Sequence, residues 1–181
     1  MKNNRCNIAI YASGFLILLA IWVVVSADKF TVINLFRFTM LILLSYIAMI
    51  IDIKTKQIPN ILVLIMIIAW LLLVVPVMFY DTGYGINMLL NSLLGLLAGG
   101  GIFLLVYIIS RRGLGGGDVK FMAAAGLFLG FPETIPAIFY GTVFAAVTGL
   151  ILILIKKLNR KETMPLVPFL FIGIMITAII G

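Results

Sequence analysis

The chain has 181 residues, of which 64% are hydrophobic and 10% charged, with a mean hydropathy of +1.29. Soluble domains carry roughly 25% charged residues to keep their surface solvated, so this chain's solvent is lipid and its backbone polar groups must pair internally. It has no histidine and one cysteine, Cys6, which excludes serine–histidine triads, cysteine–histidine dyads, histidine-ligated metals, internal disulfides and paired-cysteine zinc sites.

Long apolar runs without period-two alternation predict helices rather than barrel strands. The expected fold is an all-α, polytopic transmembrane bundle of seven helices. The apolar stretches are 8–26, 35–51, 61–80, 86–110, 119–131, 137–155 and 164–181, set against the roughly 20 residues that cross a bilayer. The first follows Lys2 and Arg5 and ends at Val25-Ser26-Ala27, like a signal peptide. Its apolar run exceeds the usual roughly 7–15 residues, so a retained helix is expected. No linker or low-complexity segment divides the chain, which reads as a single domain over 1–181.

The loops fix the orientation. If all seven stretches cross and the N-terminus is cytoplasmic, the cytoplasmic segments hold Lys2, Arg5, Lys54, Lys56, Arg111, Arg112, Lys120, Lys156, Lys157, Arg160 and Lys161. The outside holds only Lys29 and Arg37. Eleven against two obeys the positive-inside rule. The net charge of +7 is thus a topology signal, and no nucleic-acid partner is expected. The weak element is 119–131, whose 13 residues make about 20 Å of helix against roughly 30 Å of hydrocarbon. Were it re-entrant, six helices would cross and the charges at 156–161 would fall outside, against the rule. Kept as a crossing, either residues 132–136 extend it, or its start lies below the membrane surface with Asp118 in a dip.

On this topology Asp52 and Asp118 lie on one face at helix ends, while Asp28, Asp81 and Glu133 fall outside and Glu162 lies in the most basic loop. Acids near a bilayer are expensive and often functional, although helix-end carboxylates in polar loops cost little. Asp118 follows Arg111-Arg112-Gly113-Leu114-Gly115-Gly116-Gly117. Glycine permits positive φ and close backbone approach, and a plain interhelical turn needs fewer of them. After Asp52 comes Ile53-Lys54-Thr55-Lys56-Gln57-Ile58-Pro59-Asn60, where Pro59 suits the first turn of the next helix and forces Ile58 to be extended. Two carboxylates sharing one proton can activate a water and protonate a peptide carbonyl with neither histidine nor metal. No metal or other cofactor is expected.

These residues resemble the type IV prepilin peptidases, membrane aspartic proteases of the GxGD class. The resemblance rests on Asp52 with Ile58-Pro59-Asn60, on Gly115-Gly116-Gly117-Asp118-Val119-Lys120, and on Met164-Pro165-Leu166-Val167-Pro168-Phe169-Leu170. With hydropathy it covers about 35–181. It implies that Asp52 and Asp118 are a catalytic pair, supported by Gly115, Gly117, Lys120, Pro59 and Asn60. It also implies a prepilin or pseudopilin substrate with a short basic leader, a glycine before the scissile bond and a hydrophobic helix after it. The setting implied is a prokaryotic cytoplasmic membrane with the site facing the cytoplasm. Larger members carry paired cysteines in a cytoplasmic region and also methylate the product with S-adenosylmethionine. Here the first loop is short, Cys6 is alone and no nucleotide fingerprint appears, so a peptidase-only member is expected. Lys54, Lys56 and Lys120 are read first as topology charges and second as modulators of substrate or pKa.

Four other readings compete, the blandest being a purely structural membrane protein, which leaves the Gly115–Asp118 cluster unexplained. The presenilin and signal-peptide-peptidase branch shares GxGD, but has Tyr-Asp and Pro-Ala-Leu where this chain has Ile51-Asp52 and Met164-Pro165-Leu166. A small transporter could use Asp52 and Asp118 for proton or cation coupling, yet its acids belong at mid-membrane. A serine–lysine protease on Ser110 and Lys120 has no motif behind it.

Overall fold

The computed structural model describes residues 14, 16, 20, 22, 31–110, 113–156 and 164–180. Six helices are delimited among them: α1 Val32–Thr55, α2 Asn60–Tyr80, α3 Thr82–Ile109, α4 Gly116–Leu129, α5 Phe131–Leu154 and α6 Val167–Ile180. Gly14, Leu16, Ala20 and Trp22 are also helical, within the first predicted stretch. The rest of that stretch, Cys6, Asp28, Glu162 and the basic residues at 111–112 and 157–161 lie outside the described residues. Trp22 is buried and donates from Nε1 to Thr39 Oγ1 at 3.1 Å, which ties this residue to α1.

Helices α1, α2, α3 and α5 are each long and apolar enough to cross a bilayer; the 21 residues of α2 reach about 32 Å. Their outward side chains are apolar, Leu72, Phe79 and Leu97 among them, so the solvent on that face is hydrocarbon. The chain is a multi-pass helical membrane bundle.

Helix α4 is short, as expected, with 14 residues or about 21 Å. Residues 132–136 do not extend it. Gly130 breaks the chain at φ +81, a conformation that favours glycine, and residues 131–136 form the first turns of α5, with Pro132 in its opening turn. The mismatch has another resolution. Phe121, Met122 and every residue from Ala124 to Leu129 are buried, so α4 is enclosed by its neighbours and touches little lipid. A helix wrapped in protein need not match the hydrocarbon thickness. It packs most closely on α3, where Gly95 and Gly126 bring the two backbones together.

The face away from Asp52 also differs from the sequence reading. Arg37, counted there among outer charges, is 6% exposed within α1, with its guanidinium 5.1 Å from the Phe38 ring centre and in the field of Glu133. Asp81 accepts a 3.0 Å bond from the Tyr84 amide and so caps α3.

Candidate active site

Asp52 stands one turn inside α1 rather than at its end. The helix continues to Thr55, and Lys56 adopts the left-handed conformation at φ 51, its amide donating to the Asp52 carbonyl at 2.8 Å. This stop pins the Asp52 backbone. The residue is 4% exposed. Its Oδ2 accepts from the Val167 amide at 3.0 Å, with the Leu166 amide also bonding the carboxylate. Val167 is the first residue of α6, whose leading N–H groups have no partner within the helix. Asp52 thus caps a helix 115 positions away, and an anion there is favoured by the helix dipole.

Asp118 is held by the same device at a different helix. Gly115 is the N-cap of α4 and Asp118 its third residue. The Gly115 amide bonds the Asp118 carboxylate, while the Asp118 amide donates to the Gly115 carbonyl at 3.1 Å. This is the acidic half of a capping box. Asp118 lies at the polar end of α4, ahead of the apolar stretch that begins at Val119. Burial in the protein and the nearby Asp52 charge push its pKa up to about 6, against the lowering effect of the Gly115 amide.

Both carboxylates line one cavity of about 250 Å³, with Lys56, Gln57, Ile58 and Gly115–Gly117. The three glycines do different things. None has positive φ; Gly130 is the one glycine that does among the described residues. What the site uses is close approach. A Cβ on Gly115 would lie 2.8 Å from Asp118 Oδ2, and one on Gly117 would lie 3.2 Å from the Ile58 Cβ. At Gly116 nothing stands within 4 Å. The two outer glycines therefore admit the carboxylate and the opposite wall, and the middle position is free, which is what the pattern G-x-G-D encodes.

Pro59 is the N-cap of α2, one position before the first turn expected for it, with ψ 138. Ile58 is buried against Gly117. Asn60, the first residue of α2, accepts at Oδ1 from Lys120 Nζ at 2.9 Å. The sequence reading missed this partner for Lys120, and it missed the Val167 amide. Ser110 donates to the Tyr107 carbonyl at 3.3 Å while Lys120 bonds Asn60, so Ser110 and Lys120 are not paired with each other. Among the described residues no cluster of His, Cys, Asp and Glu could hold a metal ion.

Comparison with known proteins bears on this arrangement. The type IV leader peptidase family matches residues 35–150, which include Asp52, the glycine run and Asp118. The third sequence patch, at 164–170, lies beyond that range. A prepilin leader peptidase/N-methyltransferase of Bacillus subtilis (strain 168) is 28% identical over 148 residues, covering 82% of this chain and 57% of the relative. One of the same description from Escherichia coli (strain K12) is 31% identical over 135 residues, covering 70% of this chain and 55% of the relative. The chain thus spans little more than half the length of these relatives. No solved structure matches it significantly. With the family match extending over well more than half of its residues, the chain belongs to the type IV leader peptidase family.

Proposed function

We propose that the chain is an aspartic endopeptidase that removes the short basic leader from prepilin-like proteins, with Asp52 and Asp118 as the catalytic pair. The observation that carries this is the shared cavity: two carboxylates on one water-accessible space, each fixed by a helix-terminal amide and bordered by glycine backbone. In this reading the two carboxylates hold one proton between them, and Asp52, as the charged member, takes a proton from the attacking water. Asp118, whose pKa is pushed up to about 6, carries the shared proton and donates it to the carbonyl oxygen; the proton Asp52 took from water then passes to the departing amine nitrogen, while Asp118 recovers its own from the tetrahedral hydroxyl as the carbonyl re-forms. The Gly115–Gly117 edge leaves room for an extended substrate to approach both groups.

The charge bias supports a cytoplasmic orientation for the site in a prokaryotic cytoplasmic membrane. A basic leader then stays in the cytoplasm while the apolar helix behind it rests in the bilayer, and the cut falls at the interface. Methyl transfer, which appears in the description of both relatives, is not part of this proposal. It is checked by the mass of the new N-terminus, which cleavage alone leaves unmethylated.

The test is co-expression with a prepilin-like reporter, followed by gel shift of the leader. Asp52→Asn and Asp118→Asn each abolish the shift while both proteins still insert. A full shift with either variant overturns the two-aspartate mechanism.

A further inference from the structure

We infer that Lys120 and Asn60 are a positioning pair that sets the width of the aspartate cavity, an inference that rests on the peptidase reading above. The bond joins the start of α2 to the first turns of α4 across 60 positions of sequence, at 2.9 Å and on the exposed side of both helices. Its two ends flank the wall of the cavity. Asn60 follows Pro59 and lies two residues from Ile58, which lines the cavity and packs on Gly117. Lys120 lies two residues from Asp118, about 200° around the helix axis, so it projects away from the carboxylate rather than toward it.

Stiffness carries the effect from Asn60 to Ile58. Pro59 has a fixed φ and holds the preceding residue extended, so Ile58, Pro59 and Asn60 move as a unit. Tethering Asn60 to α4 therefore tethers Ile58 to Gly117. Without the tether the start of α2 shifts, and Ile58 no longer holds the space between Lys56 and Gly117 at the width that brings both aspartates onto one water. The bundle does not depend on the bond, because Leu62, Val63 and Met66 of α2 stay buried in the core. This role differs from a topology charge and from an electrostatic modulator of Asp118, and the three readings separate by experiment.

The experiment measures kcat, KM and the pH profile of purified full-length protein on a prepilin-like reporter, for Lys120→Met, Asn60→Ala, the double variant and Lys120→Arg. A positioning pair predicts about a tenfold fall in kcat for each single variant, the scale of a sub-ångström misplacement. The double variant falls no further, because partners in one contact are not additive. The pH limbs stay in place, and Lys120→Arg, which keeps a donor, stays within about threefold of the parent. Additive losses, a displaced pH limb in Lys120→Met alone, or full activity in Asn60→Ala each overturn the pair. If the parent does not cleave the reporter, the peptidase reading fails instead. The pair is then read from spin labels at Gln57→Cys and Gly116→Cys in a Cys6→Ser background. Their dipolar distance distribution broadens with Lys120→Met if the tether holds the cavity, and an unchanged distribution overturns it.

Discussion

Gly115→Ala separates folding from function at one atom. Gly115 has φ −72 and ψ 135, which alanine adopts without strain. Its new Cβ would stand 2.8 Å from Asp118 Oδ2 and 3.7 Å from its Cγ, with no other atom close by. Ordinary contact begins near 3.4 Å, so the carboxylate retreats by about 0.6 Å, a cost the flexible side chain absorbs by rotating. A misplacement of about 1 Å at a reacting group costs on the order of 100-fold, so this one costs about 10- to 100-fold in kcat. That corresponds to about 1.4–2.7 kcal/mol of lost transition-state stabilisation. The matched comparison is Gly116→Ala, where a Cβ enters open space and kcat changes by less than about threefold. Both variants keep the parent's thermal unfolding midpoint in detergent. The assay is single-turnover cleavage of a prepilin-like reporter by purified protein. Equal losses in the two variants, or a Gly115→Ala loss matched by a lower unfolding midpoint, refute the assignment of that glycine to carboxylate access.

Three further outcomes follow from the same geometry. Because the folded pKa of Asp118 is raised to about 6, its proton is retained well above pH 4 and lost as pH rises through that value. The alkaline limb of kcat/KM therefore has its midpoint at about 6, and a midpoint near 4 contradicts the acid role. Val167→Pro deletes the amide that holds Asp52 at 3.0 Å and puts ring carbon in its place. Proline is tolerated at a helix's first position, so the protein inserts normally while cleavage falls at least about 100-fold; retained cleavage shows the amide to be dispensable. Gly126→Ala drives a methyl into the Gly95 backbone and lowers stability in a detergent unfolding titration by about 1–3 kcal/mol, whereas no change contradicts the close α3–α4 contact.

The lipid setting, the helical class and the meeting of Asp52 with Asp118 at one place were legible in the sequence, because composition reports solvent directly and both acids stand beside loops that the helix count brings to one end of the bundle. The sequence also placed a short helix after Asp118. It did not reveal why that helix can be short, since enclosure by neighbours is a tertiary property that the apolar run of α4 shares with lipid-facing runs. The burial of Arg37 was hidden for a similar reason: a charge near a helix start reads the same whether it faces water or Glu133. The glycine run was legible as unusual, but its purpose was split between positive φ and close approach, and only the positions of Asp118 Oδ2 and Ile58 separate the two. The Val167 donor left no trace, because a backbone amide has no residue identity. The nearby prolines marked only that a helix starts there.

The central claim is that Asp52 and Asp118 act as one unit on a prepilin-like peptide bond. Its most direct test is mass spectrometry of the products when reconstituted parent, Asp52→Asn and Asp118→Asn proteins meet a membrane-inserted reporter with a basic leader. The parent releases a leader ending in glycine, and each variant releases none while remaining inserted. Leader release by either variant contradicts the pair.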